Sequence, residues 1–133
     1  MDSEIQMDRL VQKLITPSAS ATDEYLVLGE LMSSVLQNRT LLQKEKDLRQ
    51  LEYEVWYAKA YTDAFSHLES NLGRTPNISS AEYLVKLNPD YLTFKSELIE
   101  LTSKLEDVNR VREILQLRKE YLMSKAADTR AGI

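Results

Sequence analysis

"NPDYLTFKSELIELTSKLEDVNRVREILQLRKEYL", residues 88–122, is the stretch on which the fold turns. Phe94, Leu101, Val108, Leu115 and Leu122 recur every seven residues without a miss. Leu98 and Leu105 hold the companion position until Arg112 breaks that second ladder. A seven-residue apolar repeat keeps one seam of an α-helix facing a partner helix. The start is equally plain. Asn88 is the cap, Pro89 takes the first helical position, where its missing N–H costs nothing, and Asp90 suits the helix dipole. The stretch predicts a helix running to about Lys125.

Its partner must lie upstream. Thr22 or Asp23 can cap a helix by accepting from free N–H groups of its first turn. That helix meets no stop before "NLGRTPN" at 71–77; uninterrupted it spans about 49 residues, roughly 73 Å at 1.5 Å per residue. Asn38 and Thr40 are weak helix formers and mark "QNRT", 37–40, as the place for a kink or break. Beyond it, Leu41, Leu48, Val55 and Thr62 share one heptad position and Leu51, Ala58, Phe65 and Leu72 the other, with Lys44 and Glu69 as lapses. This seam is expected to meet the C-terminal helix. Between the two, "SSAEYLVKL" at 79–87 predicts a short helix capped by Ser79 or Ser80.

At the other end, "EIQMDRLVQKLI", 4–15, places Ile5, Met7, Leu10, Val11 and Leu14 near one helical face. "TPSASATDE" then reads as a linker. No strand pattern occurs. The expected fold is all-α: an antiparallel hairpin of long helices with short flanking helices, assembling into an oligomeric coiled-coil-like bundle or ring. Residues 1–21 form the N-terminal short helix and linker, and 22–130 the hairpin domain.

The bulk numbers agree with one domain. The chain has 133 residues, three glycines, three prolines and no cysteine, which excludes disulfide and thiol chemistry and suits a reducing compartment. No run of about 18 apolar residues is present, so neither a membrane span nor a signal peptide is expected, and the localisation expected is cytoplasmic. The "NRT" at 38–40 matches a glycosylation sequon by chance on this reading. The net charge is −4, and residues 1–35 carry all of it, with six acids against Arg9 and Lys13. Overall acidity argues against a chain built mainly to coat nucleic acid, while leaving room for a local contact repeated in an oligomer.

Half of the ten aromatics fall in one short run: Tyr53, Trp56, Tyr57, Tyr61 and Phe65. At about 100° per residue, Tyr53, Tyr57 and Tyr61 point nearly opposite the Leu48–Leu51–Val55 seam. Arg39, Gln43, Lys46 and Gln50 extend that outer stripe. Three uses fit. The tyrosines can pack beneath another part of the same chain. They can join a subunit interface, where a large ring with a polar tip is favoured. Or, beside Arg39, Lys46 and Lys59, they can stack on the bases of a single strand.

Enzyme chemistry is not expected. His67 is the only histidine and has no second ligand type for a metal set. Ser18, Ser20, Ser79 and Ser80 sit in linker or cap positions, and "NLGRTPN" is a turn rather than a phosphate-binding loop. Pairs such as Glu45/Arg49 and Glu100/Lys104 are helix-face ion pairs. No cofactor and no metal are implied.

The layout over residues 22–130 resembles the UvsY recombination mediators of large tailed phages. Those are small, all-helical, cysteine-poor proteins with a long helix ending in a lysine-and-aromatic segment. A basic glycine-containing loop, a short helix and a long C-terminal helix follow. "RQLEYEVWYAKAYTDAF" is similar to the first segment, "NLGRTPN" to the loop and "VKLNPDYL" to the restart.

The resemblance implies a ring-forming protein of an infected bacterial host. It would bind single-stranded DNA and help a recombinase displace single-strand binding protein. The family's Lys-Ala-Arg contact motif lines up with Lys59, Ala60 and Tyr61, followed by Asp63 and Phe65. Tyr61 departs from the pattern, since a phenol cannot neutralise phosphate. Lys59, Arg74 and Lys46 are then the candidate cations, with Tyr57 and Tyr61 as stacking partners. Tyr53, Trp56, Phe65, Leu101, Val108 and Leu115 are the candidate oligomer interface. The alternative is a helical protein-binding scaffold or assembly chaperone that binds no nucleic acid.

Overall fold

The computed structural model describes residues 21–130 and Gly132. The helix expected at 4–15 and most of the linker after it lie outside these residues. Three helices make up the described chain: α1 (Ala21–Leu72), α2 (Ile78–Leu87) and α3 (Pro89–Arg130). Among the described residues no strand occurs and no helix is long and apolar enough to cross a membrane.

α1 is one uninterrupted helix of 52 residues. The break expected at "QNRT" is absent. Thr40 satisfies its hydroxyl by donating to the Leu36 carbonyl at 2.9 Å, a back-bond that weakens a helix only slightly and does not interrupt this one. The helix begins at Ala21, so Thr22 and Asp23 belong to its first turn rather than its cap. It stops at Gly73, which takes the left-handed conformation at φ +62° and donates its N–H to the Glu69 carbonyl at 3.0 Å. This is a glycine C-terminal stop. Gly73→Ala is expected to cost about 1 kcal/mol through backbone strain alone, because open space surrounds the position. Thermal melting checks this, and an unchanged melting temperature would contradict it.

Asn77, not Ser79 or Ser80, caps α2: its Oδ1 accepts from the Ser80 N–H at 2.8 Å. An asparagine one residue before the helix reaches the orphan donor that a serine inside it cannot. Asn88 caps α3 as the sequence predicts, accepting from the Asp90 N–H at 2.9 Å.

These helices form two compact units. The first joins α1 up to Leu42 with α3 from Lys104; the second is 43–103. In the first, Leu28, Leu31 and Val35 pack with Val108, Leu115 and Leu122. Tyr25, Val27, Met32, Leu42 and Val111 border that core. Arg118 pairs with Glu24, tying the start of α1 to the later part of α3. In the second, Arg49 pairs with Glu97 and Tyr53 meets Tyr91 and Phe94. Within each unit α1 and α3 run antiparallel.

The α3 ladder behaves as expected, with Leu101, Val108, Leu115 and Leu122 buried and Phe94 half-buried. The α1 ladder does not. Leu41, Leu48, Leu51 and Val55 are exposed, as are Ala58 and Thr62. The covered positions fall one residue later, at Leu42, Arg49 and Trp56, continuing Leu28 and Val35 at the same seven-residue spacing. Tyr53 and Ala60 accompany them. The Tyr53–Tyr57–Tyr61 stripe is therefore no outer face: all three are half-buried. Aromatic area explains the shift. A tryptophan and two tyrosines offer about 150–250 Å² each, more than the competing Leu48, Leu51 and Val55 side chains.

Candidate nucleic-acid interface

In the second unit, α1 and the start of α3 build an aromatic cluster. Trp56 lies 5.4 Å from Phe94 between ring centroids, and Tyr53 lies 5.8 Å from Phe94 and 6.3 Å from Tyr91. Tyr57 leans on Tyr53 at 5.9 Å. The Lys95 ammonium stands 4.6 Å over the Tyr53 ring, where the negative face of the ring attracts it. Burial, with the Glu82 carboxylate as a lesser cause, pushes the Tyr57 phenol above its ordinary value. Tyr61 stacks with Phe65 further along α1.

A charged residue can hold the seam because its charge is answered. Arg49 places its guanidinium 4.2 Å from the Phe94 ring, donates to Glu52 at 2.6 Å and pairs with Glu97. Those two carboxylates, Glu52 first, raise its pKa further. The stem buries apolar surface while the head stays bonded.

The candidate residues do not converge on one surface. Lys59 is exposed and shares an open depression with half-buried Trp56, Asp63 and Asn88. Lys46 is half-buried on α1, and Arg74 is exposed in the loop after it. Tyr53 and Trp56 are engaged with α3 in the same chain. Leu101 is buried within the second unit, and Val108 and Leu115 within the first. The second unit also carries ten acids against seven bases, which weakens it as a site for a polyanion.

The first unit holds an arrangement absent from the sequence reading. Arg39 of α1 and Arg112 of α3 line one open depression of about 640 Å³ together with Asn109, Glu113, Gln116 and Leu117. Both arginines are exposed, and among the described residues neither guanidinium has a hydrogen bond or ion pair. Arg112 was visible only as the residue that breaks a leucine ladder. An arginine where a leucine should stand, opposite a second arginine on the partner helix, is the signal that pairing the helices would have exposed.

Among the described residues, no group of three or more His, Cys, Asp or Glu side chains could hold a metal. His67 meets only the Asn71 amide, at 3.0 Å. The chain matches no protein-family model, and no curated protein or solved structure proves similar to it.

Proposed function

We propose that the chain is a non-catalytic module that binds single-stranded DNA and mediates recombination, helping a recombinase onto strands covered by single-strand binding protein. The observation that carries the DNA half is the Arg39–Arg112 depression. Two guanidiniums with no partner among the described residues offer planar forks suited to phosphate oxygens. The Asn109 and Gln116 amides add donors and acceptors for base edges or further phosphate. Glu113 in the same depression opposes a bare anion but accepts from a base amino group, so the donor set fits a nucleotide better than inorganic phosphate. The mediator half rests on the resemblance of residues 22–130 to the UvsY family.

One copy offers few cations, so affinity comes from repeating a weak site along a strand. Lys59 beside Trp56 is a second, weaker contact in this reading, a cation next to an aromatic ring. Fluorescence anisotropy with a labelled oligonucleotide tests the proposal. Binding should weaken steeply with salt, with a log–log slope of about −0.7 per phosphate neutralised on a single strand. Absence of salt-sensitive binding at low ionic strength would contradict it. A helical scaffold without nucleic-acid binding then becomes the better reading, and the exposed Leu48–Leu51–Val55 stripe is the observation that favours it.

A further inference from the structure

The stripe that α3 leaves uncovered has a chemistry of its own. Leu48, Leu51 and Val55 are 62%, 57% and 65% exposed, at the i, i+3, i+7 spacing that one helix offers another. Exposed Ala58 and Thr62 continue the line. All lie in the second unit. Heptad spacing puts Glu45 and Glu52 along one flank and Asp47 and Glu54 along the other, with Lys59 as the next residue on the first flank. Neutral amides hold two of these acids in place: Gln43 donates to Asp47 at 2.9 Å and Gln50 to Glu54 at 3.2 Å.

We infer that this stripe docks an amphipathic helix of another protein, one with Leu, Ile or Val at heptad spacing and Lys or Arg along both flanks. Flanking charges select the partner of a helix–helix seam. A second copy of this chain answers these acids only in part. A parallel pairing sets Glu54 against Lys59 of the other copy but Asp47 against Glu52; an antiparallel one that layers Leu51 on Val55 sets Glu45 against Lys59 but Glu52 against Glu52 and Glu54 against Glu54. An anionic membrane surface or a nucleic acid meets Glu45, Asp47 and Glu54, with Glu52 already paired to Arg49. A basic amphipathic helix satisfies both the apolar stripe and the acids. The inference is independent of the DNA reading, since the Arg39–Arg112 depression lies in the other unit.

The test uses the full chain and two synthetic peptides of about three heptads. Both carry the same leucine and isoleucine seam; one has lysine on its flanks, the other glutamate. Isothermal titration at low salt should show the lysine peptide binding at least about tenfold tighter, roughly 1.4 kcal/mol. Leu51→Asp should abolish that binding while leaving helicity and melting unchanged, because the side chain is exposed. Glu45→Lys with Glu54→Lys should move the preference toward the glutamate peptide. Equal binding of the two peptides would overturn the inference, as would binding that survives Leu51→Asp. Sedimentation showing a self-associated chain that Leu51→Asp dissociates would also overturn it, by making a second copy the occupant.

Discussion

Val108→Asp is expected to unfold the first unit. Val108 is 7% exposed and packs in the core formed with Leu28, Leu31, Val35, Leu115 and Leu122. A carboxylate placed there has no partner, and the surrounding side chains are aliphatic. The expected loss is roughly 3–5 kcal/mol, a large share of the 5–15 kcal/mol that holds a typical domain together. Leu115→Asp should behave alike. Leu48→Asp, on the exposed stripe, is expected to change stability by no more than about 0.5 kcal/mol. Circular dichroism and thermal melting of the three variants separate the two faces. Wild-type melting for Val108→Asp would remove the core, and unfolding by Leu48→Asp would restore the aliphatic seam on α1.

That contrast also marks how far the sequence can be read. On α3, five apolar residues at strict seven-residue spacing admit one inward face, and the structure buries that face. The Asn88 cap and the stop of α1 within "NLGRTPN" were equally legible. On α1 two stripes compete. One is aliphatic, while the other runs through Arg49 and the aromatics and counts as polar in any pattern that scores arginine as solvent-seeking. The decision between them depends on Phe94, Tyr91 and Glu97, which lie about 40 residues away in sequence and supply the ring and carboxylate that Arg49 and Tyr53 need. No local pattern contains that information.

The candidate site shows the same limit. Lys59, Arg74 and Lys46 could be named from residue type and from a family resemblance. Arg39 and Arg112 are 73 positions apart and become neighbours only once the helices are paired in the correct register. Each looked incidental alone, one as part of a stripe and the other as a lapse in a ladder.

The proposal that single-stranded DNA is gripped in that depression is tested most directly by the Arg39→Ala, Arg112→Ala double variant. Both side chains are exposed, so its melting should match the wild type. Oligonucleotide anisotropy across a salt series should show affinity at least about tenfold lower at low salt, with the log–log slope shallower by about 1.4, the share of two phosphate contacts. An affinity and slope indistinguishable from those of the wild type would contradict it.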